Sequence, residues 1–526
     1  MVALRPDRLR TSTMQINILE YLEQGAARQC ADKAAIVEEN GSYTFAELER
    51  HAKRCAALVM ARLDAIRQPV AVYLPRTAAV IFADLGIVYS GNIYCNLDVK
   101  SPAQRTKGIL QNIAPELIVT SRELAGQLRA LDVPEEKLFF VDGIYRDAVA
   151  YDNDLLWNRL DRIVDTDPLC IINTSGSTGV PKGVVLNHRS TIDFMDWCFD
   201  RLKLDGSERI GSLSPFYFDI YTLELILCIA KGATMVIIPD QMAIFPAKLV
   251  QFLVQQAVSF LFWVPSIMVN ISNQGLLEQL DGSALKTIFF AGEVFPMKHL
   301  NRWRRALPGA RFVNLYGPIE ITVDCTYYPV EREFGDQEAL PIGFPCRNTD
   351  ILILNEQDQL CQTDERGELC VRGSSLAMGY WNDPEKTARA FVQNPLNRRY
   401  PELIYRTGDL VYRNQRGEIM FVGRKDFQIK HLGYRIELPE IEYQVLTMAE
   451  VANACVLYNQ DAKEITLYYQ TKDDGLTPAA IRQHLSKIFP KYMLPTAFHQ
   501  MVELPRNPNG KIDRNGLALQ LRRPTS

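Results

Sequence analysis

The chain has 526 residues, too many for one hydrophobic core, and this length predicts several lobes. Hydrophobic residues make up 47% and charged residues 23%, as in ordinary globular proteins, which excludes a disordered chain or a repetitive fibre. The formal net charge of −4 gives no basic excess for nucleic acid, and no apolar run reaches the ~18 residues of a membrane span. The N-terminus lacks an apolar signal core and the eleven cysteines form no CxxC pair, so we expect a cytoplasmic protein.

From Asn17 onward the chain alternates helical and strand patterns. Thr44 and Glu47 have the spacing of a capping box and predict a helix that runs toward Met60. The apolar run 78–90 predicts a buried helix that ends at Gly91. Further apolar runs predict buried strands at 69–74, 117–120, 138–141, 169–172, 235–239, 260–264, 287–290 and 312–315. Helical stretches fall between most of them, and this alternation predicts an α/β fold with mainly parallel sheets.

The pattern changes after Asp350. Short strands joined by polar turns are predicted at 351–354, 368–372, 410–412 and 419–422. Beyond them, helices at 437–449 and 479–489 alternate with strands at 451–457 and 465–470. We therefore expect a large N-terminal lobe (residues 1–425) of two mainly parallel α/β sheets plus a small β subdomain (351–425). A small mobile α+β C-terminal lobe (426–526) should follow.

The densest chemical motif follows the predicted strand at 169–172. Three glycines and four hydroxyl residues lie between Thr174 and Gly183, so the loop is rich in N–H and O–H donors that can surround phosphate oxygens. Lys182 adds a compact positive charge. The loop is not a Walker A loop, because it lacks the Gly-Lys-Ser/Thr ending of that motif. A flexible surface loop is the alternative. The candidate phosphate-binding residues are Thr174, Ser175, Gly176, Ser177, Thr178 and Gly179.

This loop resembles the phosphate-contacting signature of adenylate-forming enzymes. That superfamily includes acyl-CoA synthetases, luciferases and the adenylation domains of nonribosomal peptide synthetases. Four more segments resemble family motifs in the same order, and together the match extends over residues 17–515. They are Asn314–Glu320 at the adenine and Mg²⁺ site, Tyr405–Leu410 at the ribose site, Gly423–Lys430 at the hinge, and Pro505–Arg514 at the catalytic lysine.

The resemblance implies a nucleotide site for ATP and Mg²⁺. Tyr316 and Gly317 would contact adenine, and Glu320 would offer Mg²⁺ a hard oxygen ligand. Asp409 would accept hydrogen bonds from the ribose hydroxyls, with the guanidinium of Arg424 nearby.

The implied reaction joins a carboxylate to the α-phosphate of ATP and releases pyrophosphate, so catalysis depends on charge neutralisation and positioning. The implied catalytic residues are Lys511, Lys182 and Glu320, and the small lobe would rotate about Asp426. The family usually has Thr where this chain has Ile319, so one hydroxyl near the phosphates is missing.

Asp219 decides the predicted substrate class. It stands where peptide-synthetase adenylation domains place an Asp against the substrate's α-amino group. A carboxylate in an apolar pocket needs a cation, which an amino acid supplies and a fatty acid does not. The alternative is a helix N-cap before Tyr221.

The other pocket positions implied by the resemblance are mainly aliphatic or aromatic, which favours a small or medium apolar side chain. They are Ile220, Leu223, Phe262, Phe289, Ala291, Leu315, Val323 and Asp324. This set resembles that of free-standing L-prolyl-AMP ligases of pyrrole-forming antibiotic routes. Asp324 departs from it, since a small uncharged residue is expected there, so serine, alanine and hydroxyproline stay open, as does a side chain pointing away from the pocket.

No carrier-type Ser motif follows Lys511, so we expect transfer in trans to a separate carrier protein that bears phosphopantetheine. The leading hypothesis is activation of L-proline with ATP and Mg²⁺. The alternatives are a D-alanine ligase of cell-wall modification, an acyl-CoA synthetase, and a non-catalytic nucleotide-binding scaffold.

Overall fold

A computed structural model describes residues 15–145, 149–176, 181–460, 462–471, 476–506 and 512–521. Four predicted site residues lie outside these ranges: Ser177, Thr178, Gly179 and Lys511.

The described residues form two large sheets in the N-terminal part of the chain. The first has nine strands, in the spatial order Phe344–Pro345, Thr326–Pro329, Arg311–Tyr316, Thr287–Phe290, Phe260–Trp263, Arg209–Ser212, Thr234–Ile237, Ala34–Glu38 and Gly41–Thr44. The second has seven, in the order Gly379–Tyr380, Lys182–Asn187, Pro168–Thr174, Ile93–Asn96, Pro69–Tyr73, Leu117–Thr120 and Leu138–Phe140. Most strand pairs in both sheets are parallel, and the antiparallel pairs lie toward the edges. The predicted α/β class with mainly parallel sheets is therefore confirmed.

Two further sheets and a hairpin complete the described strands. Thr349–Leu354, Gly367–Gly373, Leu403–Arg413, Phe391–Gln393 and Ile419–Arg424 form the antiparallel β subdomain. The hairpin is Gln428–His431 with Tyr434–Glu437. The last sheet pairs Val451–Asn459 with Glu464–Thr471, and the latter with Ala497–Gln500. The strand predicted at 410–412 is therefore one end of the much longer strand Leu403–Arg413, which carries the predicted ribose-binding residue Asp409.

Helices cover the sheets, and their ends follow local sequence signals. Thr44 Oγ1 accepts from the Glu47 amide at 3.2 Å and Glu47 Oε2 accepts from the Thr44 amide at 2.9 Å, so the predicted capping box is confirmed. All residues of Ala78–Tyr89 are buried, as predicted. The α-helices are Leu19–Tyr21, Ala27–Gln29, Phe45–Met60, Ala78–Tyr89, Ala103–Ile113, Ala125–Arg129, Asn153–Leu160, His188–Arg201, Asp219–Lys231, Pro246–Gln255, Pro265–Asn273, Met297–Ala306, Pro384–Ala390, Leu438–Leu446, Pro478–Ser486 and Arg514–Leu521.

Side chains on the nine-stranded sheet alternate between two cores, because successive residues of a strand point to opposite faces. Phe262, Phe289 and Leu315 belong to a large apolar cluster that also contains Leu223 of the helix Asp219–Lys231. Trp263 and its neighbours on the other face form a second cluster. The first cluster contains the predicted substrate-pocket residues. Only aromatic side chains on that face of the sheet can therefore line the predicted pocket.

The cysteines are all unpaired thiols. Nine of the eleven are buried, and only Cys30 and Cys361 are partly exposed. Within the described residues, no helix is long and apolar enough to cross a lipid bilayer.

Candidate active site

Glu320 is the centre of a buried ionic cluster. It lies in the short helix Ile319–Ile321, just after the strand Arg311–Tyr316, and none of its surface is exposed. Its Oε1 accepts hydrogen bonds from Lys182 Nζ at 3.0 Å and from Tyr380 Oη at 2.9 Å. Its Oε2 accepts one from Arg435 Nη1 at 2.7 Å. Predicted catalytic residues Lys182 and Glu320, 138 positions apart, are thus in direct contact.

Charge compensation keeps this cluster ionised. Burial acts against ionisation of Glu320, but Arg435 and Lys182 hold its pKa well below the ordinary value. Burial lowers the pKa of Lys182, against the opposing effect of Glu320. A dry carboxylate flanked by two cations provides the fixed charges that phosphoryl chemistry requires.

A second cluster joins the predicted adenine and ribose residues. Tyr316 Oη donates to Asp409 Oδ2, and Arg424 Nη1 donates to Asp409 Oδ1 at 2.5 Å. Lys430 Nζ lies 5.6 Å from the centre of the Tyr316 ring. At Gly317, a Cβ atom would come within 2.4 Å of the Asp324 Cα, so only glycine fits between the two segments. The structure therefore brings the predicted nucleotide residues together in one place.

The phosphate loop begins at the end of the strand Pro168–Thr174. Thr174 Oγ1 is buried and has no hydrogen-bond partner in the described part of the chain, and Ser175 and Gly176 are also buried. An unpaired hydroxyl at this position fits an oxygen-rich ligand such as a phosphate. Ile319, at the position where a hydroxyl is missing, packs into the apolar core.

The predicted hinge residue Asp426 is held by Arg424. Arg424 Nε donates to Asp426 Oδ1 at 2.6 Å and Nη2 donates to Oδ2 at 2.7 Å. Because Arg424 also pairs with Asp409, one guanidinium connects the ribose candidate to the hinge candidate.

Asp219 is the first residue of the helix Asp219–Lys231, and Phe218 occupies the N-cap position without a side-chain cap. The alternative of an Asp219 N-cap is therefore not observed. Burial raises the pKa of Asp219 to about 6, against the opposing effect of Lys430, and Glu320 raises it further. The side chain thus lies within electrostatic reach of the ionic cluster.

Beyond Asp219, the predicted pocket residues assemble on one face of the nine-stranded sheet. The apolar members all belong to the large cluster and are buried: Ile220, Leu223, Phe262, Phe289, Ala291, Leu315 and Val323. The rings of Phe262 and Phe289 lie edge to face with centroids 6.2 Å apart. Asp324 is also buried, and burial together with Asp219 raises its pKa well above the ordinary value.

Comparison with known proteins decides the family. The sequence model described as AMP-binding enzyme matches residues 22–381, and the one described as AMP-binding enzyme C-terminal domain matches residues 440–511. The chain belongs to the AMP-binding enzyme family. The predicted membership of this family of enzymes is confirmed.

The chain is also similar to individual known proteins. A mycosubtilin synthase protein of Bacillus subtilis is 32% identical over 95% of this chain, which spans 19% of that protein. The Vibrio cholerae adenylation domain AlmE, solved with glycyl-adenosine-5'-phosphate, is 21% identical, with a TM-score of 0.82 over 98% of this chain and 99% of that one. PA1221, an NRPS protein containing adenylation and PCP domains, is 22% identical, with a TM-score of 0.79 over 96% and 84%. At these identities the two structures establish the fold.

The residues after the predicted hinge at Asp426, the predicted small lobe of this AMP-binding enzyme, contact the N-terminal part of the chain directly. Arg105 Nη1 donates to Glu440 Oε1 at 3.1 Å, and the Gly433 amide donates to Glu293 Oε1 at 2.9 Å. Between the lobes runs a cavity whose lining includes Asn96, Arg105, Thr174, Tyr217, Tyr434 and Tyr492. The lining also contains Ser175, so the cavity borders the described start of the phosphate loop.

The sequence analysis of this AMP-binding enzyme missed two residues that contact Glu320. Tyr380 follows Gly379, whose φ of +119° favours glycine, and this Gly-Tyr pair was the available signal. Arg435 lies in the hairpin just after the hinge motif, between Tyr434 and Ile436, and nothing in this local sequence indicates its contact with Glu320. Both contacts join residues that are far apart in the chain, so the spacing of residues in the sequence does not indicate them.

Proposed function

We propose that this enzyme activates a small amino acid with ATP, forming an aminoacyl-AMP and pyrophosphate. The aminoacyl group is then transferred to the phosphopantetheine thiol of a separate carrier protein. The observation that carries the proposal is the position of Asp219, a partly buried carboxyl group beside the apolar pocket residues that is electrostatically coupled to Glu320. An amino acid bound there presents its ammonium to Asp219 and its carboxylate toward the ionic cluster.

The residues present fit ATP and Mg²⁺. The Thr174 hydroxyl, which has no hydrogen-bond partner among the described residues, suits a phosphate oxygen, and Tyr316 and Asp409 suit the adenine and ribose. Glu320 offers hard oxygen donors, but Lys182 and Tyr380 donate to its Oε1 and Arg435 donates to its Oε2. Mg²⁺ would therefore compete with these residues for the carboxylate. When bound, ATP supplies the α-phosphate that the substrate carboxylate attacks.

The chain's own contribution to adenylation is charge neutralisation. Lys182 lies in the dry cluster and offers a cation to the phosphate oxygens as negative charge develops on them. We propose that Lys511 is a second cation, which acts near the substrate carboxylate and the nucleotide. We also propose that the small lobe turns about Asp426 for adenylation, which would release Arg435 from Glu320.

Thioester formation needs a narrow path for a long thiol arm. The cavity lined by Tyr217, Tyr434 and Tyr492 also reaches Thr174 and Ser175, and we propose that the thiol arm enters there. The Tyr434 and Tyr492 rings stack with centroids 3.5 Å apart and form a flat wall on the small-lobe side of the interface. PA1221, which shares this fold, contains a PCP domain beside its adenylation domain, and this supports a carrier protein as the acceptor.

L-Proline is the first candidate substrate. The predicted pocket positions are mainly aliphatic or aromatic, and two of them are buried phenylalanine rings packed edge to face. This composition favours a small ring or short chain over a large aromatic side chain.

Amino-acid-dependent ATP–pyrophosphate exchange with all proteinogenic amino acids and D-alanine tests the proposal. We expect exchange with a few small L-amino acids, and a large rise in the amino-acid KM for Asp219→Asn with little change in the ATP KM. Exchange with D-alanine alone would identify a D-alanine ligase, and a CoA-dependent product from acids without an amino group would identify an acyl-CoA synthetase. Tight ATP binding without turnover would indicate a scaffold.

A further inference from the structure

Glu368 is a buried carboxylate that joins the predicted ribose motif to the predicted hinge motif. It lies in the strand Gly367–Gly373 of the β subdomain, and its side chain is 7% exposed. Its Oε1 accepts a hydrogen bond from the Gly408 amide at 3.1 Å. Its Oε2 accepts one from Arg406 Nη1 at 3.0 Å and one from Lys425 Nζ at 3.1 Å. Because a buried charge depends on such partners, loss of the charge affects every group that Glu368 holds.

The segment that Glu368 holds is a β-bulge. Three residues, Thr407–Asp409, lie opposite the single residue Leu369 of the neighbouring strand. The Leu369 carbonyl accepts a hydrogen bond from Thr407 Oγ1 at 2.7 Å, and Gly408 has a φ of +73°, which favours glycine. Bulges change the direction of a side chain and are common beside active sites. The direction of Asp409, the predicted ribose ligand, therefore depends on what fixes this bulge.

The bulge is fixed to the hinge motif as well as to Glu368. The Gly408 amide donates to Glu368, and the Gly408 carbonyl accepts from the Lys425 amide at 2.8 Å. The Lys425 side chain also donates to Glu368, so the carboxylate, the bulge and Lys425 form a closed ring of hydrogen bonds. Lys425 directly precedes the predicted hinge residue Asp426. A change at Glu368 therefore acts on the bulge directly and also through Lys425.

We propose that Glu368 is a positioning residue for nucleotide binding, which acts through the bulge that directs Asp409 at the ribose hydroxyls. This inference rests on the proposed function, which supplies the nucleotide. Without the negative charge, Arg406 and Lys425 lose the carboxylate that they share, and the hold on the Gly408 amide weakens. Asp409 then loses its fixed direction. Hydrogen bonding to the ribose suffers, whereas contacts to the phosphates and to the amino acid do not.

A pair of nucleotides tests the inference, because 2′,3′-dideoxy-ATP lacks the hydroxyls that Asp409 would bind. Calorimetric titration of each nucleotide with Mg²⁺ gives the two Kd values without turnover. For the wild type we expect ATP to bind about 10- to 100-fold more tightly than the dideoxy nucleotide, the range that one hydrogen bond to a charged group supplies. Glu368→Gln keeps the shape and loses the charge. It should reduce this ratio by about fivefold or more through weaker ATP binding, with little change in the Kd of the dideoxy nucleotide.

Two further measurements separate positioning from a general loss of structure. In the exchange assay, Glu368→Gln should raise the KM for ATP and leave the amino-acid KM and the kcat at saturating ATP nearly unchanged. Lys425→Gln removes one partner of Glu368 at a side chain that is 41% exposed, and it should lower the nucleotide ratio by about two- to threefold. If Glu368→Gln does not fold, an unchanged ratio in Lys425→Gln overturns the inference.

Glu418→Gln is the matched control. The Glu418 side chain is also 7% exposed and accepts hydrogen bonds from Tyr328, Asn414 and Arg416, just before another strand of the β subdomain. Its substitution should leave the nucleotide ratio unchanged.

Three outcomes would overturn the inference while the proposed function stands. They are a ratio near one in the wild type, a ratio unchanged in folded Glu368→Gln, and the same fall in Glu418→Gln as in Glu368→Gln. Absence of ATP binding would remove both the inference and the proposed function. If ATP binds but no amino acid supports exchange, the proposed function fails, and the two Kd values still decide the role of Glu368.

Discussion

Arg435 of the small lobe donates to Glu320 of the large lobe at 2.7 Å, on the carboxylate oxygen that Lys182 does not contact. The contact joins residues 115 positions apart and places a small-lobe cation inside the ionic cluster. Glu320 is thus contacted by residues on both sides of the predicted hinge.

Arg435→Ala should impair transfer to the carrier more than adenylation, because the Arg435 contact exists in this docked pose. We expect single-turnover transfer from preformed aminoacyl-AMP to fall about tenfold or more, as for loss of a hydrogen bond to a buried charge, with exchange changed much less. Arg372→Ala, which removes ion pairs in the β subdomain, is the control. An equal loss in both half-reactions would show that Arg435 acts in adenylation as well.

Lobe docking should weaken as pH rises. Burial raises the pKa of Glu440 from its ordinary 4.5 to about 7, with Arg105 opposing, in the docked pose. A solvent-exposed Glu440 titrates near its ordinary value, so the docked form holds an extra proton between pH 4.5 and 7, and docking loses free energy as pH rises through that window. Fluorescence transfer between dyes on the two lobes, measured from about pH 5 to 8, should show this decline, and Glu440→Gln should flatten it. If docking of the Glu440→Gln variant declines with pH as steeply as that of the wild type, another group causes the pH dependence.

Asp409→Asn should raise the KM for ATP, because a carboxylate is lost that Tyr316 and Arg424 hold in place. Tyr316→Phe keeps the ring and removes only the hydrogen bond, and should raise the ATP KM by a few-fold, in line with about 1 kcal/mol. The amino-acid KM should stay constant in both variants. We expect the larger rise in the ATP KM for Asp409→Asn. A larger rise for Tyr316→Phe would contradict the prediction.

The protein should lose stability as pH rises from 4.5 to about 8. Burial raises the pKa of Glu224 from its ordinary 4.5 to about 8, against Ser212 and Arg76, so the folded form binds a proton that the unfolded chain has released. Glu224→Gln removes this linkage and should be the more stable form at about pH 8 by on the order of a few kcal/mol. Thermal unfolding of both proteins at about pH 5 and pH 8.5 measures this difference in stability. An equal loss of stability in the wild type and in Glu224→Gln would refute the prediction.

Lys511→Ala should abolish exchange and leave the fold intact. The prediction comes from the sequence resemblance, since Lys511 lies outside the described residues. Circular dichroism and the melting temperature report folding, and Lys487→Ala, a change of another small-lobe lysine, controls for loss of charge. Near-normal exchange by the Lys511 variant would disprove the assignment.

Local signals in the sequence located most elements but not their partners. The strand Thr287–Phe290 and the helix Phe45–Met60 follow from an apolar run and a capping box, both of which act within a few residues. Motif resemblance identified Lys182 and Glu320. Glu320 also contacts Tyr380 and Arg435, which belong to distant segments of the chain. Such contacts produce no periodic pattern in the sequence.

Asp324 shows the same limit at the substrate pocket. The sequence left open whether its side chain points inward, and only the folded chain reveals a strained turn and an unpaired buried oxygen among the residues described there. Such features arise from tertiary contacts rather than from residue type.

The distribution of thiols gives this enzyme a practical property. Since Cys30 and Cys361 are the partly exposed cysteines and both precede the hinge, maleimide reagents should label only the large part of the molecule. Replacing these two with serine and adding a single cysteine on each lobe would create attachment points for a donor and an acceptor dye. Lobe rotation could then be followed in single molecules, turnover by turnover.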